Sequence, residues 1–140
     1  GAAAQPALSA EAQAALDRQL FDAASKGDVA AIERLAAEGA SPNAKGSSGQ
    51  PAVCRAAWYG HAGAVSALVR LGADPDARDS GGTTALMGAA FWGKVECARA
   101  LLAGGADRTL RATGDWAKGK TALQVAEAKG KAEVAALLRE

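Results

Sequence analysis

Thr84-Ala85-Leu86-Met87-Gly88-Ala89-Ala90-Phe91-Trp92-Gly93, with Gly105-Ala106-Asp107 twelve residues beyond, is the stretch that decides the fold. It decides because it recurs. Ala23-Ala24 stand before Gly27 and Ala56-Ala57 before Gly60, just as Ala89-Ala90 stand before Gly93; Gly130 continues the series, at intervals of 33, 33 and 37 residues. Twelve residues after each of the first three glycines comes Gly-Ala, at Gly39, Gly72 and Gly105. A fixed period of this length means one supersecondary unit copied along the chain.

Alignment on the glycines gives columns. Seven residues before each glycine is an aliphatic, Leu20, Val53, Leu86 and Leu123, and four before it is Ala23, Ala56, Ala89 or Ala126. That step of three marks the buried face of a short helix. After each of the first three glycines, apolar pairs predict a second helix: Ala31/Ile32 with Leu35/Ala36, Ala64/Val65 with Leu68/Val69, Cys97/Ala98 with Leu101/Leu102. It ends at Gly39, Gly72 or Gly105, where a residue free to take positive φ is needed.

Thr84-Ala85-Leu86-Met87, Thr121-Ala122-Leu123-Gln124, Gly60-His61 and the Gly-Ala-Asp runs at 72–74 and 105–107 resemble the ankyrin repeat. Unit 2 departs with Pro51-Ala52-Val53-Cys54, and no unit keeps the histidine of the family tetrapeptide. The resemblance implies an all-α solenoid of four helix-turn-helix units with hairpin fingers. The units fall at about 18–48, 49–81, 82–119 and 120–140, within a domain over 9–140. Ser9 as N-cap, Glu11 in the first turn and apolar steps at Ala12, Leu16, Leu20 and Ala24 predict an N-terminal capping extension from about Ala10. Polar Glu127 and Arg139, where inner units carry apolar residues, mark unit 4 as the other cap. Between units 3 and 4 the finger is four residues longer, and insertions in repeats fall on loops, often of the binding face.

A length of 140 residues suits one domain. Hydrophobic residues make up 49%, much of it alanine, which favours helices and lets them approach closely. The net charge of +1 argues against a dedicated nucleic-acid binder. No apolar run approaches the roughly 20 residues of a membrane span. Gly1 is not an initiator Met, and 1–8 reads as a flexible tail. Its small residues fit either a recombinant remnant or the segment after a removed signal peptide. The second reading places the protein in the periplasm or otherwise exported, the first in the cytoplasm. The alanine-rich style suggests a bacterial source, and a monomer is expected.

Gly114-Asp115-Trp116-Ala117-Lys118-Gly119-Lys120-Thr121 matches the phosphate-loop pattern G-x-x-x-x-G-K-[ST]. A working loop must leave a buried strand, and Asp107-Arg108-Thr109-Leu110-Arg111 is too polar for one. The lone His61 lacks a nucleophile and an orienter in register, so the plainer reading is structural. Cys54 and Cys97 lie on different helices of different units and are expected as free thiols. With one histidine they cannot complete a zinc site. No cofactor, metal or catalytic residue is assigned.

The positions just before the turn glycine read Ser25-Lys26, Trp58-Tyr59, Phe91-Trp92 and Ala128-Lys129. Four of the six aromatic residues therefore share one column pair in the central units. In the family resembled, that column lines the concave groove beside the fingers. Trp and Tyr are enriched among interface hot spots, although aromatic stripes at helical spacing are more often core. Trp58, Tyr59, Phe91 and Trp92 are thus candidate anchors, Trp116 an edge, and Arg55, Arg78 and Arg111 rim residues. The leading reading is a non-catalytic scaffold binding another protein on this groove. The alternatives are a small-ligand or peptide receptor built on the aromatics, and a nucleotide-binding enzyme using 114–121.

Overall fold

A computed structural model describes residues 8–140, and of Asp115 the backbone alone; all of the expected tail but Leu8 lies outside the described residues. Eight α-helices form among the described residues, in four pairs. They are α1 (Ala10–Lys26) and α2 (Val29–Ala37), α3 (Ala52–Trp58) and α4 (Ala62–Arg70), α5 (Ala85–Trp92) and α6 (Val95–Ala103), α7 (Ala122–Ala128) and α8 (Ala132–Arg139). First helices pack in the order α1, α3, α5, α7, and second helices in the order α2, α4, α6, α8, so two layers share one core. Helices of seven to nine residues would be marginal alone. Here each is held by its pair mate and by the same helix of the next unit.

The alanine columns permit that stacking. Ala23, Ala56, Ala89 and Ala126 are buried together with Leu20, Val53 and Leu86, while Ile32, Leu35, Val65, Leu68, Leu101, Val134 and Leu138 fill the second layer. Leu123 is only half-buried, because α7 meets a first helix on one side alone.

Both helices of a unit stop by the same device. In α6, the Gly105 amide donates to Leu102 and the Ala106 amide to Leu101, with Gly105 at φ 94°. This is the Schellman pattern, which closes the orphan carbonyls of the last turn. At the end of α1 the Gly27 amide donates to Ala24 and the Asp28 amide to Ala23. The turn glycines serve a second purpose. The side chain one residue past each lies over the glycine of the preceding unit: His61 over Gly27, Lys94 over Gly60, Lys131 over Gly93. A Cβ on Gly27 would stand 2.6 Å from His61 Nδ1. His61 Nε2 also bonds to the Ser25 carbonyl oxygen at 3.0 Å. This histidine joins unit 1 to unit 2.

Carboxamide and carboxylate oxygens join successive units. Asp17 Oδ1 accepts from the Ser41 amide, Asn43 Oδ1 from the Asp74 amide and Asp76 Oδ1 from the Asp107 amide, each at 2.8 Å. The family tetrapeptide's missing histidine is replaced by varied chemistry. Gln124 Oε1 accepts from the Thr121 amide and Met87 Sδ from the Thr84 amide, so both threonines cap their helices. Cys54 Sγ donates instead to the Ala77 carbonyl of the following finger.

The fingers are closed by single bridges, Lys45 to Pro51 and Arg78 to Thr84, both antiparallel. The third departs from the expected hairpin. Its inserted residues coil into one 3-10 turn, Asp115–Ala117, and its bridge, Ala112 to Lys118, runs parallel.

At the ends, Ser9 Oγ accepts from the Ala12 amide and the Gln13 carboxamide donates to the Gly39 carbonyl, tying the extension of α1 to the end of α2. Glu127 and Arg139 pair with each other at 2.8 Å across the α7–α8 surface.

Candidate partner-binding surface

Trp58, Phe91, Trp92 and Trp116 form one aromatic cluster on the side of the first helices that faces the fingers. Trp58 stacks on Phe91 with centroids 5.5 Å apart and planes 12° from parallel. Trp92 stands edge-on to both, at 5.3 Å from Trp58 and 4.9 Å from Phe91. The 3-10 turn of the long finger folds back, so that Trp116 meets Phe91 at 4.8 Å and Trp58 at 6.0 Å. These are contact separations, each worth about 0.5–1.5 kcal/mol beyond burial. No ring-sized slot separates Trp58 from Phe91.

The cluster is packed on one side and open on the other. Trp58 and Phe91 are half-buried, whereas Trp92 and Trp116 keep 45% and 40% of their surface exposed. Room for Trp58 against α5 comes from Gly88. A Cβ there would sit 3.2 Å from Trp58 Cε3. Lys129, the C-cap of α7, places its Nζ over the Phe91 ring at 4.9 Å.

Tyr59 stands apart from these rings, 47% exposed. Its hydroxyl accepts from Arg55 Nη1 at 2.9 Å. The Arg55 guanidinium lies over Phe21 at 5.1 Å and over Tyr59 at 5.4 Å, and its Nε is buried with no acceptor.

The two finger arginines are tied to neutral oxygens. Arg78 Nη1 donates to the Gly82 carbonyl at 2.8 Å and to the Arg111 carbonyl at 2.9 Å. Arg111 Nη1 in turn donates to the Gly119 carbonyl and to Gln124 Oε1. Both hold fingers together, and neither is placed against the aromatic cluster.

Three of these contributors escape a reading of the chain alone: Phe21, Gly88 and Lys129. Phe21 could have been found, since the repeat register sets it one column before Arg55 and one unit earlier. Gly88 reads only as a helix weakened by glycine until its neighbour Trp58 is seen.

The last three amides of the phosphate-loop lookalike are turned inward. The Gly119 amide donates to the Ala112 carbonyl, the Lys120 amide to the Ala117 carbonyl and the Thr121 amide to Gln124 Oε1. Thr121 Oγ1 accepts from the Gln124 amide. Donors that would cradle a phosphate are spent on the finger and on the α7 cap, and no strand precedes them among the described residues.

Cys54 and Cys97 are free and buried. Burial pushes the Cys54 thiol from 9.0 up to about 12, with the nearby Asp79 and Asp74 charges adding to the rise and Lys45 opposing it. Burial likewise pushes Cys97 up to about 11. Such thiols are poor nucleophiles and poor metal ligands. No group of three or more His, Cys, Asp or Glu side chains able to hold a metal comes together among the described residues. No helix among them is long and apolar enough to cross a membrane.

Comparison with known proteins adds one result. The family model for ankyrin repeats (3 copies) matches residues 20–112, which takes in the last part of α1, α2 to α6 and the first two fingers. No curated protein matches the chain significantly.

Proposed function

The chain belongs to the ankyrin-repeat family, and from that premise we propose that it is a non-catalytic scaffold that binds a protein partner on the face shared by its first helices and fingers. Ankyrin repeats generally mediate protein–protein interaction, and the family is typically non-catalytic. The observation that carries the reading is the half-open aromatic cluster. Its stacked base of Trp58 and Phe91 presents Trp92 and Trp116 to solvent, and Tyr59 is a separate exposed ring. Clustered exposed aromatic surface of this kind marks interaction sites, and such residues dominate interface energies. A fixed base also lowers the ordering cost of association.

The contact separations within the cluster weigh against a cage that encloses a small ligand, because the rings occupy the space between them. The inward amides of 119–121 weigh against a nucleotide site. Both leave the outer edges of the rings for a protein surface.

Trp92→Ala with Trp116→Ala tests the proposal without removing the half-buried Trp58. Chemical cross-linking in extract from the source cell should give a discrete adduct with the parent protein and lose it with the double variant, at unchanged far-UV circular dichroism. An adduct retained at full yield would move the binding surface elsewhere.

A further inference from the structure

Seven of the nine arginines, all but Arg18 and Arg108, fall into two populations. Four make ion pairs, and all four stand on the second-helix layer: Arg34 with Glu38 on α2, Arg70 of α4 with Glu33, Arg99 with Glu96 on α6, and Arg139 of α8 with Glu127. On the finger side the pattern reverses. Arg55, Arg78 and Arg111 are fixed by a phenol, a carboxamide and backbone carbonyls, all of them neutral. Lys129 stands over Phe91, and Lys118 and Lys120 are exposed on the long finger. Among the described residues none of these six cations has a carboxylate within 4.0 Å. The carboxylates of the second finger are turned to local donors: Asp79 accepts from the Thr83 hydroxyl and the amides of Gly81 and Thr83, Asp74 from the Asp76 amide and Asp76 from the Asp107 amide. The overall charge of +1 conceals this segregation.

We propose that the aromatic face takes an acidic segment of its partner, with an apolar side chain on Trp92 and Trp116 and flanking carboxylates at Arg55 and Lys129. This rests on the scaffold reading above and adds the partner's chemistry. The physical reason is complementarity. Positive charge held in place by neutral oxygens keeps its full field, whereas an ion-paired guanidinium has spent it. Arg55 is already held flat over two rings, with Nη1 on the Tyr59 hydroxyl. A carboxylate arriving at its exposed edge meets an oriented fork rather than a flexible chain, so less entropy is lost per bond. Lys129 serves the other flank, across the Trp58–Phe91 stack.

Panning a random dodecapeptide display library on the folded protein tests the inference without presupposing the partner. The expected consensus is an aromatic or aliphatic residue with Asp or Glu on one or both sides. A fluorescein-labelled consensus peptide should bind Arg55→Met and Lys129→Ala each about tenfold more weakly, the scale of a lost charge-assisted hydrogen bond. Its affinity should also fall as salt rises from about 0.05 to about 0.5 M. Lys129 is exposed, so its variant keeps the test valid if Arg55→Met proves unstable.

The outcomes separate the two readings. A neutral or basic consensus that still needs Trp92 and Trp116 would overturn the acidic segment and leave the scaffold surface standing. A consensus indifferent to Trp92→Ala and Trp116→Ala, or no enrichment at all, would sink both. A single-stranded oligonucleotide dodecamer that bound as tightly, and weakened likewise in Arg55→Met, would replace the acidic peptide by nucleic acid.

Discussion

At Gly27 two demands meet on one missing methyl group. The backbone sits at φ 73°, where a side chain costs roughly 1–2 kcal/mol, and the His61 ring lies where a Cβ would go. Gly130 has nearly the same backbone, φ 68°, with nothing within 4 Å of its would-be Cβ. Gly27→Ala should therefore destabilise by more than Gly130→Ala, the excess being about 1 kcal/mol for the displaced His61 hydrogen bond. Urea unfolding of both variants checks this, and equal losses would show that His61 contributes nothing. The thiols supply a second case. Their folded pKa values, about 12 for Cys54 and about 11 for Cys97, stand above the ordinary 9.0. A raised value means that the fold prefers the neutral thiol, so this contribution is complete below pH 9 and drains away as pH climbs toward 11 and 12. Stability should fall from about pH 9 upward, and less steeply in Cys54→Ala with Cys97→Ala. At pH 8 iodoacetamide should label the native protein far more slowly than the urea-unfolded chain; rapid labelling of the native protein would contradict the burial.

Elements show where reading the sequence succeeds and where it stops. Helix pairs were legible because the same alanine, aliphatic and glycine columns return in every unit, and a column carries its own register. The aromatic column was legible for the same reason. The fold-back of Trp116 was not: an interval of 37 says that the finger is longer, but inserted residues have no counterpart in other units to fix their direction. Arg78 and Arg111 were recognisable as finger residues, yet the carbonyls that hold them have no signature in side-chain identity. Expected as rim groups, they also serve as struts, Arg78 between the second and third fingers and Arg111 between the third finger and α7. Gly88 is the subtlest case, because its reason lies on another helix. Relief of a glycine inside α5 would normally gain up to about 1 kcal/mol. Here a larger side chain must push Trp58 off its seat, at about 1–3 kcal/mol for an overpacked site. Gly88→Val should lower stability and alter the near-ultraviolet circular dichroism of the tryptophans, while Gly63→Val, on an exposed site of α4, should leave that spectrum unchanged.

For the whole molecule, the layer order means that each unit leans only on its neighbours. Stability is then close to a sum of unit and interface contributions, and a lesion at one end can be confined there. The α8 helix packs chiefly on α6 and α7, and Leu138 is 4% exposed within it. Leu138→Ala removes buried methyl groups at a cost of about 2–5 kcal/mol. That cost falls on the fourth unit and on the α5 and α6 faces that touch it, while α3 and α4 keep their own neighbours. Native-state hydrogen exchange should therefore show α7 and α8 losing protection first, with α3 and α4 close to their parent values. Val53→Ala, in the middle of the array, should lower protection on both sides of it. Because Trp58, Tyr59, Phe91 and Trp92 stand in units 2 and 3 and Lys129 in unit 4, loosening the last unit should weaken the acidic consensus peptide about as much as Lys129→Ala does, without abolishing binding. Loss of protection spread evenly over all eight helices would show instead that the array unfolds as one block, so that no part of its surface can be loosened alone.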